Sequence, residues 1–484
     1  MGDTGGIMSN TKVHLISLGC ARNDVDSEEL AGRLAEGGFN LVDEPEAADA
    51  LIVNTCGFVE QAKKDSIDTI LAAADLKGAA GPKAVVAVGC LAQRYGTELA
   101  ASLPEADAVL GFDDYTDIAG RLRTIMDGGH VEAPTPMDRR TLLPLAPIER
   151  HKAMPIAGHQ GELPDGIAPS SGPRVPRRRL DDAPWAPLKI ASGCDRRCAF
   201  CAIPSFRGAY VSRTAPEILE EARWLADQGV REIMLVSENS SSYGKDLADL
   251  RALESLLGGL ATIPDLDWIR VSYLQPAELR TSLIDVMTGT DKVLPYFDLS
   301  FQHASAPVLR AMRRFGDPDS FLGLIDTIRQ RAPQAGIRSN VIVGFPGESE
   351  HDVDVLADFI SAARLDALGV FSYSDEDGTA ARTLPDHVDP DEVEERHERI
   401  ADLANILCDQ RAADRVGEHI RVLVEQVESD VLIGRAAHQG PDVDGTTSVR
   451  REPGRDGVAV GDMVSASVVD TVGVDLTAEL DEEG

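Results

Sequence analysis

Three cysteines fall within the string CDRRCAFC at 194–201, at Cys194, Cys198 and Cys201. A structural zinc site takes four protein ligands, and the string that follows, AIPSFRGAYVSR, supplies no further Cys or His. A cubane iron–sulfur cluster is held by thiolates on its irons, so three thiolates leave one iron open to an exchangeable ligand. The spacing therefore favours an iron–sulfur cluster over a catalytic zinc site with three thiolates.

A second set of three cysteines is spread along the N-terminal part of the chain. Cys20, Cys56 and Cys90 each end an apolar run, in KVHLISLGC, DALIVNTC and KAVVAVGC. Buried parallel strands have such continuous apolar runs, and their carboxyl ends meet at the edge where open α/β sheets bind ligands. We expect these three cysteines to converge in space. The alternative is three ordinary buried residues at strand ends.

The remaining cysteine, Cys408, lies in a predicted long helix at 390–415 and has no cysteine near it in the sequence. A buried structural thiol is the simplest interpretation. The odd total of seven cysteines argues against a disulfide framework.

The elements that must position these cysteines predict an α/β protein. Residues 12–130 alternate apolar and helical stretches, which predicts an N-terminal doubly wound α/β domain. Proline-rich residues 131–185 predict a linker. Six apolar runs separated by helical segments predict a central partial (βα)6 barrel over 186–415, with the 194–201 loop at its carboxyl face. Short strand-like runs over 416–484 predict a small β-barrel.

Charge and composition narrow the possible partners and the compartment. The chain of 484 residues has a net charge of −34, and acidic residues also outnumber basic ones over 416–484. Such a chain repels a phosphate backbone, so direct nucleic-acid binding is not expected to dominate and a basic partner is favoured. The alternative is that the acidity serves only solubility. No run suits a membrane span or a signal peptide, so we expect a cytoplasmic protein without membrane contact.

The pattern C-x3-C-x2-C, with the aromatic Phe200 before its last cysteine, resembles the radical S-adenosylmethionine (SAM) superfamily. The strings SLGCARNDVDSE, VNTCGF and VGC are similar to the N-terminal domain of the methylthiotransferases in that superfamily. The string AIPSFRGAYVSR is similar to their segment after the cluster motif, and the C-terminal β-domain lies where the family has its TRAM domain. The resemblance covers nearly all of the chain from residue 12 onward, except the linker.

The resemblance implies a set of cofactors and a reaction. Each set of three cysteines would hold one 4Fe–4S cluster, and the set at 194–201 would be the catalytic one, binding SAM at its open iron. The enzyme would insert –SCH3 into an unactivated C–H bond after reductive cleavage of SAM, which requires a low-potential electron donor. The residues that would contact SAM are Phe200, Glu238, Gly344 and Glu348.

Each of these contacts has a structural alternative. Phe200 could be a core aromatic residue, Glu238 a surface carboxylate, and the glycines of GFPGES part of a turn. Arg207 and Arg213 could pair with a carboxylate of SAM or substrate, or with a protein carboxylate.

The resemblance also bears on the substrate. The strings LVSENSSSYG, YFDLSFQHAS, VIVGFPGES and GVFSYSDEDGTAA are similar to the branch that modifies an aspartate of ribosomal protein S-twelve. Relatives that modify tRNA have QSGS where this chain has QHAS, so His303 favours the protein branch. An acidic TRAM domain also suits a basic ribosomal protein. The expected reaction is methylthiolation at the β-carbon of that aspartate.

Three other functions stay open at this point. A tRNA adenosine methylthiotransferase would need a basic face. A non-catalytic iron–sulfur or zinc scaffold would neither bind nor cleave SAM. A radical SAM enzyme that uses its second cluster only as an electron relay would make deoxyadenosine without a methylthiolated product.

Overall fold

The computed structural model describes residues 11–57, 59–78, 81–142, 177–451 and 457–481. Most of the predicted linker at 131–185 lies outside the described residues. The N-terminal domain is built on a parallel sheet with the strand order β2-β1-β3-β4-β5. Its strands are β1 (Lys12–Ser17), β2 (Asn40–Leu41), β3 (Ala50–Thr55), β4 (Ala84–Val88) and β5 (Ala108–Val109).

Helices cover both faces of this sheet, which confirms the doubly wound fold. They are α1 (Ala21–Glu36), α2 (Glu60–Asp75), α3 (Gly89–Ser102) and α4 (Ile118–Met126). Alternate residues of β3 enter two separate cores: Ile52 packs in the core that holds Leu34 of α1 and Leu122 of α4, and Leu51 packs in the core with Ile70 of α2. Strands buried on both faces need apolar residues at every position, which explains the continuous apolar runs.

The strand order creates a crevice beside two of the cysteines. The chain passes from β1 to β2 on one side of β1, and then to β3 on its other side. In open α/β sheets, ligands bind at the carboxyl ends of the strands where the order switches in this way. Here the carboxyl ends of β1 and β3 lead directly to Cys20 and Cys56.

The central domain is a six-stranded partial barrel, as predicted. Its parallel strands are β6 (Trp185–Lys189), β9 (Glu232–Val236), β10 (Trp268–Val271), β11 (Tyr296–Gln302), β12 (Gly336–Val343) and β13 (Ala367–Ser372), and the short strands β7 (Ala191–Ser192) and β8 (Val211–Ser212) form a separate antiparallel pair. The sheets β6-β9-β10 and β11-β12-β13 join through single bridges, Ile269 with Val293 and Leu274 with Leu299.

The helices of this domain surround the barrel and enclose its core. They are α5 (Ile203–Arg207), α6 (Ala215–Asp227), α7 (Ala252–Ala261), α8 (Thr281–Gly289), α9 (Ala306–Ala311), α10 (Pro318–Arg331), α11 (Glu350–Ala363) and α12 (Pro390–Ala413). Cys408 is buried in α12. Among the described residues, no helix combines the length and the apolar character needed to cross a membrane.

The C-terminal domain is a closed small barrel with the order β14-β15-β16-β18-β17, as predicted. Its strands are β14 (His419–Val427), β15 (Val431–Ala436), β16 (Thr447–Arg450), β17 (Met463–Val472) and β18 (Asp475–Leu480). It joins the central barrel through a buried charge cluster in which Glu232 lies 2.7 Å from both Arg270 and Arg435. The exact domain boundaries stay predictions.

Candidate cluster-binding site

The structure brings Cys20 and Cys56 together at the carboxyl edge of the N-terminal sheet. Cys20 is the N-cap of α1, and Cys56 directly follows β3. Gly19 has a φ of +103°, and a Cβ atom there would lie 3.0 Å from Cβ and 3.1 Å from Sγ of Cys56. The glycine before Cys20 therefore allows both the left-handed turn and the close approach of the two loops.

Cys90 completes this set as the second residue of α3, immediately after β4. Its sulfur lies 3.7 Å from Oδ1 of Asn23 and 3.0 Å from Nη2 of Arg207. The side-chain Nδ2 of Asn23 also donates to the carbonyls of Leu18 at 2.7 Å and Thr55 at 3.2 Å. One buried asparagine thus ties together the segments that carry all three cysteines.

The first set lies in the loop between β7 and α5, at the carboxyl end of the barrel. The Cys194 amide donates to the Gly208 carbonyl at 3.1 Å, and the Cys201 amide donates to the Cys198 carbonyl at 3.2 Å. Nη1 of Arg314 is 3.7 Å from the Cys198 sulfur. Burial raises the pKa of Cys194 to about 12, and it raises the pKa of Cys201 well above its usual value. Cluster ligands bind as thiolates, so loading a cluster on these residues would release their protons.

The segment that follows the first set packs against the second set at the interface between the domains. Ala202 and Phe206, from the segment that follows Cys201, pack with Cys90 and Phe112 in one buried cluster. This contact brings the chain that leaves the first set directly against a cysteine of the second set.

A buried charge network holds this interface. Asp26 of α1 lies 2.8 Å from Nη1 of Arg207 and 3.0 Å from Nζ of Lys189. Burial alone would raise the pKa of Asp26, but the charges of Lys189, Arg207 and Arg22 outweigh it and hold that pKa well below its usual range. Burial and the nearby Arg207 lower the pKa of Arg22 to about 10, so Arg22 stays cationic at neutral pH. Removing Asp26 would leave the buried Arg207 without its carboxylate partner, which is destabilising.

A second ion-pair cluster joins the N-terminal domain to the central barrel near Cys56. Glu376, in the loop after β13, lies 2.7 Å from Nη1 of Arg94 and 2.7 Å from Nζ of Lys63. The same Nη1 atom donates to the carbonyl of Gly57 at 3.0 Å, next to Cys56. The last loop of the barrel therefore fixes the position of one cysteine segment of the N-terminal domain.

Of the predicted SAM-contact residues, Phe200 and Glu238 lie at the carboxyl end of the barrel. Phe200 is partly buried against the cluster that includes Ala199 and Phe345. Glu238, just after β9, forms a buried ion pair with Arg22, two residues after Cys20. Their contact with SAM stays a prediction.

Gly344 and Glu348 lie together in the turn after β12. The Gly344 amide donates to Oε1 of Glu348 at 2.9 Å, and Arg396 donates to the same oxygen at 2.9 Å. Oε2 of Glu348 is 3.3 Å from Nε2 of His303, whose Nδ1 accepts from the Ser305 amide at 2.9 Å. Because Nδ1 accepts, the ring proton is on Nε2, on the side of the ring that faces Glu348. The contact of Glu348 with SAM stays a prediction.

The donor groups fit the cofactors that the sequence implies. Among the described residues, no three His, Cys, Asp or Glu side chains converge on a point where one metal ion could bind. A cubane cluster takes each thiolate on a different iron, so it does not need three ligands on one point. Within the same part of the chain, Oε2 of Glu238 and the Nε and Nη2 atoms of Arg22 are buried without a hydrogen bond, while Oε1 of Glu238 is in the ion pair with Arg22. Buried polar atoms normally have partners, so this position fits a polar ligand.

Sequence reasoning missed the residues that join the domains. Of the alternatives left open for Arg207 and Arg213, the structure shows protein partners: Arg207 pairs with Asp26 and Cys90, and Arg213 pairs with Glu221 at 2.6 Å. One signal was visible, because Lys189 stands in the otherwise apolar strand β6. A charge in a buried strand requires a buried partner.

Comparison with family models matches three regions of the chain. Residues 12–111 match the model described as Uncharacterized protein family UPF0004, residues 188–360 match the Radical SAM superfamily, and residues 416–480 match the TRAM domain.

Named relatives match almost the full length. The chain is 63% identical over 472 residues to a protein of Cutibacterium acnes named Ribosomal protein uS12 methylthiotransferase RimO, covering 96% of this chain and 97% of the relative. It is 61% identical over 476 residues to a protein of the same name from Streptomyces coelicolor, covering 96% of each. The solved structure of the radical SAM methyltransferase TsrM from Kitasatospora setae, with cobalamin and a [4Fe-4S] cluster bound, has a TM-score of 0.52, covering 75% of each chain. At 14% identity this last likeness concerns the fold alone.

Proposed function

The chain belongs to the family of ribosomal protein uS12 methylthiotransferases named RimO, and from this membership we propose that it inserts –SCH3 at the β-carbon of an aspartate of uS12. It is a radical SAM methylthiotransferase that uses SAM and two 4Fe–4S clusters. Its relatives carry the name of the protein-modifying branch rather than that of the tRNA-modifying alternative.

The observation that supports the proposal is the contact of Cys90 with the segment that directly follows Cys201. The first set would provide the radical chemistry and the second the sulfur, so the substrate carbon must be reached from both. The packing of Phe206 against Cys90, and the contact of Arg207 with its sulfur, support such a shared site. A non-catalytic scaffold would have no need of this proximity.

The chain's own residues have distinct roles in this proposal. Cys194, Cys198 and Cys201 would hold the cluster that, with SAM bound, supplies the radical chemistry. Cys20, Cys56 and Cys90 would hold the second cluster, which supplies the sulfur. Phe112, Ala202 and Phe206 pack around Cys90 and keep its sulfur buried. Phe200, Glu238, Gly344 and Glu348 are proposed to line the SAM position.

The partners follow from the charge. An acidic chain of net charge −34 suits a basic ribosomal protein, and direct nucleic-acid binding is not expected to dominate. We propose a cytoplasmic location, where free thiols persist, and a low-potential electron donor of undefined identity.

The test uses anaerobically reconstituted full-length protein with SAM, a low-potential reductant and either purified uS12 or tRNA. Mass spectrometry of the uS12 peptides should show a gain of one methylthio group on an aspartate. The matched control variants, Cys20→Ala and Cys194→Ala, should make none, and only Cys20→Ala should still release deoxyadenosine. A modified adenosine in tRNA, with unmodified uS12, would overturn the proposal in favour of the tRNA reaction.

A further inference from the structure

Each cysteine set has one buried arginine against one of its sulfurs, but the two contacts differ in closeness. Nη2 of Arg207 is 3.0 Å from the Cys90 sulfur, whereas Nη1 of Arg314 is 3.7 Å from the Cys198 sulfur. Both arginines are buried. Arginines are outnumbered by carboxylates in this chain of net charge −34, so the placement of a buried guanidinium against a cysteine sulfur requires an explanation.

Arg207 is fixed in place by contacts on every side. Nη1 binds Asp26 at 2.8 Å, Nη2 binds Oδ1 of Asn23 at 3.1 Å, and the guanidinium lies 4.7 Å from the centre of the Phe112 ring. Such preorganisation keeps the donor on the Cys90 sulfur without further loss of conformational entropy. Arginine also remains charged at any physiological pH.

We propose that Arg207 raises the reduction potential of the cluster held by Cys20, Cys56 and Cys90, through a charge-assisted hydrogen bond to the Cys90 sulfur. One-electron reduction adds one negative charge to the cluster and its thiolates, with the electron coming from an external reductant. A cationic donor stabilises the more negative state, and hydrogen bonds to the sulfurs are a recognised determinant of cluster potential. Arg207 is thus a positioning and tuning residue for the second cluster.

The same arginine links the two sets structurally. It ends helix α5, which begins two residues after Cys201, so one short helix separates a ligand of the first set from the donor to the second. The tuning therefore depends on the barrel being docked against the N-terminal domain. The inference rests on the proposed two-cluster site but not on the identity of the substrate.

The experiment measures the potential of the second cluster alone. A full-length Cys194→Ala, Cys198→Ala, Cys201→Ala background is reconstituted with iron and sulfide, and a potentiometric titration is followed by electron paramagnetic resonance. Arg207→Gln, which keeps an amide but loses the charge, should make the midpoint potential more negative. A tenfold change in the reduction equilibrium corresponds to about 59 mV for one electron. An unchanged midpoint in iron-loaded Arg207→Gln would overturn the proposal.

Asp26→Asn separates tuning from a merely structural role. It removes a negative charge from the same network while retaining Arg207, so it should shift the potential in the positive direction. A structural role predicts that both substitutions act alike. If Arg207→Gln fails to load iron, the Asp26→Asn shift decides alone: a positive shift supports the proposal, and no shift or a negative one overturns it.

The reciprocal background tests the site specificity. With Cys20, Cys56 and Cys90 replaced by alanine, Arg207→Gln should leave the potential of the first cluster unchanged. An equal shift there would refute the assignment to the second cluster. Neither measurement requires turnover, so a failure to modify uS12 would count against the proposed function without affecting this result.

Discussion

Glu376 is the residue whose substitution best tests whether the barrel positions the second cysteine set. It lies 2.7 Å from Arg94 and 2.7 Å from Lys63, and all three side chains are largely buried. Arg94 in turn binds the carbonyl of Gly57 at 3.0 Å. Glu376→Gln keeps the size of the side chain and leaves the two cations without their carboxylate.

The structure bounds the size of the effect. Removing one partner of a buried ion pair costs about 3–5 kcal/mol. Lys63 retains Glu60 at 3.1 Å, and Arg94 retains the Gly57 and Asp377 carbonyls, each at 3.0 Å. We therefore expect a loss of about 2–3 kcal/mol in the free energy of this contact. That is roughly a 30- to 150-fold rise in the local opening equilibrium.

Two measurements follow from this value. Amide hydrogen exchange in the loop at 374–378 should accelerate by that factor, because exchange reports local opening. The yield of methylthiolated uS12 should fall, whereas deoxyadenosine formation, which needs only the first set, should persist. Asp375→Asn, at a half-exposed carboxylate in the same loop, is the matched control and should change neither. Equal exchange in the two variants, or a parallel loss of deoxyadenosine, would refute this account of Glu376.

Three further predictions concern the same interfaces. Burial would raise the pKa of Glu376, but hydrogen bonds from Lys63 and Arg94 lower it, so the contact is fully formed above the unfolded-state pKa of about 4.3. Its protection from exchange should therefore be lost as the pH falls through the lower folded-state pKa, and Glu376→Gln should abolish this dependence. Glu232→Gln should weaken the contact between the C-terminal barrel and the central barrel by about 3–5 kcal/mol, measured as faster limited proteolysis. The control Glu350→Gln, at an exposed ion pair, should change the free energy of unfolding by less than about 1 kcal/mol. Gly89→Ala places a Cβ atom 2.3 Å from Oδ1 of Asn54 at a φ of +92°, so iron content should drop to about half as the second cluster is lost.

The elements that could be predicted from sequence are those whose burial leaves a pattern of apolar residues along consecutive positions. Strands β3 and β4 are buried on both faces and so required continuous apolar residues. The chain order of strands and helices then placed Cys20, Cys56 and Cys90 at one edge. Each cysteine was thus visible through its position after an apolar run.

The contacts between the domains could not be predicted in the same way. Asp26 and Arg207 are far apart in the sequence, and a charged residue on a predicted helix is normally solvated. Only the docked structure shows that both are buried and paired at 2.8 Å. Arg207 therefore looked like a candidate ligand for a substrate carboxylate. Lys189, inside a buried strand, is a charge whose burial the sequence could have indicated, as Glu232 and Arg270 are.

The arrangement also explains why two different folds are joined face to face. A doubly wound sheet and a partial barrel both present ligand sites at the carboxyl ends of their strands. The packing of Ala202 and Phe206 with Cys90 brings the segment after Cys201 to the carboxyl edge of the N-terminal sheet. An apolar interface would do this less specifically, since apolar packing tolerates many orientations, whereas paired charges such as Asp26 with Lys189 fix one. The ion pairs near Cys56 and Cys90 are therefore part of how the sequence specifies the relative position of the two domains.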